Sequence, residues 1–329
     1  MRRVAAAAVL LATASIPVAS DTTTLVTRDA YLMGTRAQLA TYAITRDAGL
    51  ATLESGLRML EETERELSTW QADSEISALN RHPVGAPWQA TPGVCRVLAD
   101  VIDWSVATGG TFDPTVGRLL EAWDVHGSGR IPAGDELSGA RAASGLGLLA
   151  FDRRDCTVTR TADVTVDVGA FGKGEALDRV AAALGPGPWM VDLGGQVSTG
   201  GGPPPGGAWP IAIAHPLRRD QPHLSLRLTD GSISTSAGSE RDLDVNGVRV
   251  GHILDPRTGT PAPFHGSVTV WHQRGVVADI LSTALYVMGP EEGLRWAEDR
   301  GVAACYLIAD ARGVRMLMTR AFAPLIARE

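Results

Sequence analysis

One short segment, Val166–Gly174 (VDVGAFGKG), constrains this chain more than any other. The β-branched run Val164, Thr165, Val166 and Val168 reads as a strand. It enters three glycines, Gly169, Gly172 and Gly174. From Glu175 onward, Ala176, Leu177, Val180, Ala181 and Leu184 recur at helical spacing. A strand, a glycine-rich turn and a helix start aim backbone N–H groups at an anion. Lys173 lies in the turn and is the one lysine among 30 basic residues. A compact ammonium on a flexible stem suits a phosphate oxygen. The spacing fits neither the P-loop nor the dinucleotide fingerprint. A tight turn carrying a surface lysine is the alternative.

The elements around this segment predict a mixed fold. Two strands flank Met33-Gly34-Thr35, and Asp47–Leu67 carries leucines at 50, 53, 57, 60 and 67, a helical period. A short capped helix runs to Asn80, and Val94–Thr108 is helical up to the stop at Gly109-Gly110. His82–Pro92 reads as a loop, and the Gly/Pro/Asp-rich Gly127–Gly147 as a surface insertion. Trp189–Leu193 and Ser267–His272 read as strands, with further short strands between them. Val276–Met288 and Leu294–Arg300 read as helices, and Ala303–Ala309 and Val314–Met318 as closing strands. Strands and helices interleave without a strict βαβ rhythm, which predicts α+β (mixed α/β) rather than a doubly wound sheet.

Two segments carry further chemistry. In VVADILSTALYVM (276–288), Asp279 and Thr283 lie four apart on one helical face, and the other faces are apolar. A carboxylate and a hydroxyl on a buried face need partners. A hard cation such as Mg²⁺ is one partner that such oxygens suit. A carboxylate capping a loop, with the threonine bonded to its own helix, is the other reading. In GHILDPRTG (251–259), His252 is a candidate general base, while Asp255 and Arg257 equally suit a stapled turn.

Taken in order, eight motifs resemble the ApbE family of FAD:protein FMN transferases: MGT (33–35), S-x-W-x-x-D-S-E-I-S (68–77), TFDPTVG (111–117), VDVGAFGKG with Asp178, DLGG (192–195), STS (234–236), GHILDPRTG and ADILSTAL (278–285). The resemblance spans about Tyr31 to Gly289. It implies one catalytic unit, with two subdomains as the alternative. It also implies an Mg²⁺-dependent enzyme with FAD as substrate. Such an enzyme attaches FMN through a phosphoester to a Thr or Ser of an acceptor flavoprotein, such as a redox subunit, and releases AMP. By position, the resemblance implies FAD contacts at Met33, Trp70, Thr111, Phe112, Asp113, Asp167, Lys173 and Ile253. Metal ligands are implied at Asp279 and Thr283, and at Ala170 through its carbonyl. For catalysis, Lys173 would offset phosphate charge, with His252 as the base, or Asp255 or a metal-bound water in its place. Trp70 stands where a tyrosine is usual, and Gln196 where an aspartate is. An FAD pyrophosphatase and a non-catalytic periplasmic FAD-binding protein are the competing readings.

The formal net charge of −7 and the absence of a basic, aromatic-interleaved stripe argue against nucleic acid as a partner. Arg2-Arg3, the apolar Val4–Ala14 and the small residues before Ser20 predict a cleaved signal peptide over 1–20. The mature chain would then be 21–329, soluble in the periplasm. Cys95, Cys156 and Cys305 allow at most one internal disulfide and form no C-x-x-C.

Overall fold

The computed structural model describes residues 23–238, 242–245 and 247–327. The expected signal peptide lies outside them. Eight strands form one sheet in chain order: β1 (Thr24–Leu32), β2 (Thr35–Ala43), β3 (Trp189–Leu193), β4 (Gln196–Gly200), β5 (Gly231–Ala237), β6 (Gly266–His272), β7 (Ala303–Asp310) and β8 (Gly313–Met318). Every neighbouring pair is antiparallel. The sheet is a meander interrupted by helical excursions, which bears out the mixed fold and excludes the doubly wound one. The β1–β2 connection is the two-residue turn Met33-Gly34, with φ of 52° and 69°. Positive φ at both positions matches the twist of a hairpin.

Four helices matter here: α1 (Arg46–Leu67), α2 (Pro92–Ala107), α3 (Gly172–Leu184) and α4 (Gly275–Asp299). Of these, α1, α3 and α4 pack on one face of the sheet. A separate hairpin, Trp209–Ala214 with Pro222–Leu228, packs its apolar side chains on the other. The sequence AACYLI of β7 shows why both faces must be covered. Ala304 and Tyr306 enter the helix-side core, whereas Ala303, Cys305 and Leu307 enter the hairpin-side core. A strand buried on both faces reads as a continuous apolar run. Ile280, Leu281, Ala284 and Leu285 of α4 are fully buried, and each large aliphatic side chain there contributes about 1.5–3 kcal/mol. The two helices expected over 276–300 are both present within α4: Gly289 (φ 79°, ψ 171°) is not helical, and Pro290 starts the second of them.

The segment on which the sequence reading rests differs from expectation. Val164–Val168 forms no strand and joins no sheet. Its backbone is bonded by other means. The Asn80 side chain donates to the Val166 carbonyl and accepts from the Val166 N–H, each at 2.8 Å, and Asp167 N–H donates to the Pro114 carbonyl. Helix α3 begins at Gly172, not Glu175, so Lys173 and Gly174 lie in its first turn. Cys95 and Cys156 form a disulfide that ties α2 to the short strands Leu149–Asp152 and Thr157–Arg160. Cys305 is buried and free.

Candidate active site

Glycine governs how close α3 and α4 come. A Cβ on Gly174 would lie 2.4 Å from the Gly275 carbonyl oxygen and 2.6 Å from Val276 Cα. With only hydrogen there, the first turn of α3 rests directly on the start of α4. This contact sets Gly174 N–H 3.1 Å from Asp279 Oδ2 and Lys173 Nζ 3.3 and 3.4 Å from the two carboxylate oxygens. Ser234 Oγ of β5 donates to Asp279 Oδ1 at 3.3 Å. The Asp279 side chain is 5% exposed, and these donors satisfy it. Asp178, one turn along α3, accepts from the N–H groups of Gly275 and Val276 and so caps α4. Burial pushes its carboxyl up to about 6 against those hydrogen bonds.

Asp279 opens on a cavity of about 330 Å³. Segments far apart in sequence meet around it. Thr111, Phe112, Asp113, Asp167, Ala170, Lys173, His252, Ile253, Asp279 and Thr283 all line it. Of the residues expected at the site, Met33, Trp70 and Asp255 do not. Met33 is a turn residue whose N–H donates to Glu64 and whose methyl approaches Gly172. Asp255 accepts from the Arg257 backbone N–H and from its guanidinium, so the stapled-turn reading holds for that pair.

Several lining residues are first of all builders of the cavity. Asp113 accepts from Thr115 N–H and Oγ–H through one oxygen and from Leu146 N–H through the other. Thr111 Oγ1 donates to the Thr108 carbonyl, and Phe112 packs edge-on against Phe171 in the core. Thr283 Oγ1 donates back to the Asp279 carbonyl at 3.4 Å. Asp167 Oδ1 accepts from Gly169 N–H. Asp192 at the rim accepts from Gly195 N–H, and burial raises its carboxyl above the usual range.

The structure adds two residues. His126, immediately before the Gly/Pro/Asp-rich insertion, lines the cavity with Nε2 3.7 Å from Asp167 Oδ2. Trp70 packs edge-on against its ring at 5.1 Å between centroids, with the indole 74% exposed. A flat exposed indole beside the cavity mouth is available for stacking. The second is Gln196, whose Nε2 donates to the Gly275 carbonyl at 2.9 Å, linking β4 to the start of α4. No sequence signal singles out His126. Gln196 stood out only as a departure from the usual aspartate.

The donor set on α4 tests whether a metal fits. Asp279 and Thr283 offer a carboxylate and a hydroxyl to the cavity, and Ala170 lines it as well. Oxygen donors with a single carboxylate suit Mg²⁺, which fills its remaining positions with water and phosphate oxygens. Among the described residues no cluster of three or more His, Cys, Asp or Glu side chains exists. That argues against a soft-metal or all-protein cage.

Comparisons with known proteins point to one family. Residues 33–307 match the ApbE family model. A Vibrio cholerae FAD:protein FMN transferase is 31% identical over 281 residues, covering 82% of this chain and 83% of that protein. Among solved structures, the apo flavinyl transferase ApbE of Pseudomonas stutzeri superimposes with a TM-score of 0.81 at 28% identity, covering 93% and 98% of the two chains. The ApbE protein of Thermotoga maritima superimposes with a TM-score of 0.84 at 27% identity, covering 93% and 100%.

Proposed function

The chain belongs to the ApbE family, and on that footing we propose that it is an FAD:protein FMN transferase. It would attach FMN by a phosphoester bond to a Thr or Ser hydroxyl of an acceptor flavoprotein and release AMP. One observation carries the reading: an ammonium, a carboxylate–hydroxyl pair and a histidine, from three distant segments, converge on one cavity. A pyrophosphate needs positive charge at its oxygens, and Lys173 Nζ supplies it at the cavity wall. Asp279, Thr283 and the Ala170 carbonyl would hold Mg²⁺, which supplies further compensation of phosphate charge when bound.

His252 serves as the base. The acceptor Oγ–H gives its proton to the imidazole as the Oγ–P bond forms on the FMN-side phosphorus. The bond from that phosphorus to the bridging oxygen breaks, and AMP leaves with the electron pair. The imidazolium then returns its proton to water. Asp255 is set aside as base, because Arg257 holds both its oxygens. Trp70, with His126 behind it, forms a stacking wall for the isoalloxazine. The chain acts outside the cytoplasm, with residues 1–20 as its export signal. The Cys95–Cys156 disulfide supports an oxidising compartment.

The test incubates the purified chain with FAD, Mg²⁺ and an unflavinylated redox-subunit acceptor. A flavin-fluorescent acceptor band together with stoichiometric AMP is expected. AMP without a labelled band would identify a pyrophosphatase instead, and neither product would identify a binding protein.

A further inference from the structure

The hairpin Leu243–Val245 with Val248–Val250 pairs Leu243 with Val250. This register sets Asp242 opposite Gly251, one position before His252. A Cβ on Gly251 would lie 3.8 Å from Asp242 Oδ1, so the two ends of the hairpin are in contact. Asp242 Oδ1 then lies 3.2 Å from His252 Nδ1 and 3.4 Å from the His252 backbone N–H. The Asp242 side chain is 6% exposed and that of His252 18%. His252 lines the cavity that holds Lys173 and Asp279.

We infer that Asp242 is a positioning residue that fixes the tautomer and orientation of His252 for proton abstraction. The inference rests on the reading of His252 as the base. Hydrogen-bond capacity decides which nitrogen carries the proton. An ionised carboxylate only accepts, so the nitrogen facing it must carry the proton. With Nδ1 protonated and directed at Asp242, Nε2 carries the lone pair, and it is the nitrogen left to serve the cavity. When Nε2 takes the proton of the acceptor hydroxyl, the ring becomes cationic while already beside a buried carboxylate. The same division of labour operates in hydrolase triads, where the acid orients the histidine and stays ionised. The second bond, from His252 N–H to the same oxygen, ties the backbone to the carboxylate and limits rotation of the ring. The arrangement needs no contact between Asp242 and substrate.

The test compares wild type, His252→Ala, Asp242→Asn and Asp242→Glu in the FMN-transfer assay, with melting temperature recorded for each. Asparagine keeps the shape but can donate to Nδ1, which permits the wrong tautomer. Asp242→Asn is expected to lower kcat by about 10²–10⁴-fold with KM for FAD within about twofold, and Asp242→Glu to recover part of kcat. Nitrogen NMR of the labelled imidazole should show Nδ1–H in the wild type and a shift toward Nε2–H in Asp242→Asn. Loss of turnover in His252→Ala beside an unchanged kcat in Asp242→Asn overturns the inference alone. Retained turnover in His252→Ala overturns the base assignment and this inference with it. A wild-type His252 found as the Nε2–H tautomer overturns the inference without any variant.

Discussion

Gly174 N–H donates to Asp279 Oδ2 at 3.1 Å, joining the first turn of α3 to α4 across 105 positions of sequence. The same carboxylate accepts from Lys173 Nζ, so one turn of helix delivers both a backbone donor and an ammonium to it. A buried carboxylate held in this way is fixed before any substrate arrives. It in turn holds the Lys173 ammonium at the cavity wall, a positive charge in place where phosphate charge has to be offset.

Gly174→Ala tests the helix contact. Alanine is favoured over glycine in a helix by about 0.8–1.0 kcal/mol. The added methyl, however, would meet backbone atoms of Gly275 and Val276, which cannot swing aside. Overpacking of this kind costs about 1–3 kcal/mol or more. The clash should therefore win, with a lower melting temperature and reduced FMN transfer. A variant with a raised melting temperature and full transfer would mean that the two helices are not held together by this contact.

Trp70→Ala tests the stacking wall. The indole is 74% exposed, and loss of an exposed side chain shifts stability by only about 0.5 kcal/mol. Stacking on a heterocycle contributes about 1–3 kcal/mol, so the Kd for FAD should rise roughly 5- to 150-fold. Titration of flavin fluorescence at constant temperature measures it. An unchanged Kd in the folded variant would remove Trp70 from the flavin site.

Residues that organise the site were legible in sequence to different degrees. The α1 leucines declared their helix because Leu53, Leu57, Leu60 and Leu67 are all buried, the first three in one core and Leu67 at the edge of the next. Asp279 and Thr283 were legible as a pair because helical geometry alone puts them on one face. Val164–Val168 misled because β-branched residues favour a strand only where a neighbouring strand is there to pair with. Here the Asn80 amide takes the place of a neighbouring strand. The turn reading of Lys173 failed because three glycines in six residues look like a loop. Gly172 and Gly174 in fact lie in the helix, and Gly174 is small for the sake of Gly275. His126 and Asp242 left no local signal, since each acquires its role only through a residue at another place in the fold.

The cap on α4 makes stability depend on pH. Burial raises the Asp178 carboxyl to about 6, while the Gly275 and Val276 N–H groups and Arg274 pull it down. A raised pKa means that the folded state holds the proton more tightly than the unfolded chain. The contribution is fully present below about pH 4 and is lost as pH rises through about 6. The shift corresponds to about 3 kcal/mol. His265 and His272, both lowered by burial, act in the opposite direction as pH falls. The informative quantity is therefore the difference between wild type and Asp178→Asn. Chemical denaturation from pH 4 to 7.5 should show wild-type stability falling relative to the variant across that window. Parallel curves would mean that Asp178 is as easily ionised in the folded chain as in the unfolded one.

Asp279→Asn separates chemistry from folding. The substitution keeps size and shape, and the amide oxygen can still accept from Gly174 N–H. A neutral amide is also cheaper to desolvate than a carboxylate at a site 3% exposed. Against this, Lys173 loses its partner at 3.3 Å, but its side chain is 25% exposed and can turn to water. The balance favours a folded protein whose melting temperature stays near that of the wild type. FAD should still bind through Trp70 and the cavity wall, more weakly because one source of charge compensation is gone. FMN transfer should fall by a factor of about 10² or more, and raising Mg²⁺ should recover little of it. A structural carboxylate gives the opposite pattern, with a clear drop in melting temperature and near-normal transfer per folded molecule. Thermal melts with Mg²⁺ and with EDTA, run beside the transfer assay on the same samples, distinguish the two. If the wild type shows no difference between Mg²⁺ and EDTA in either measurement, Asp279 and Thr283 hold no metal and the site works through Lys173 alone.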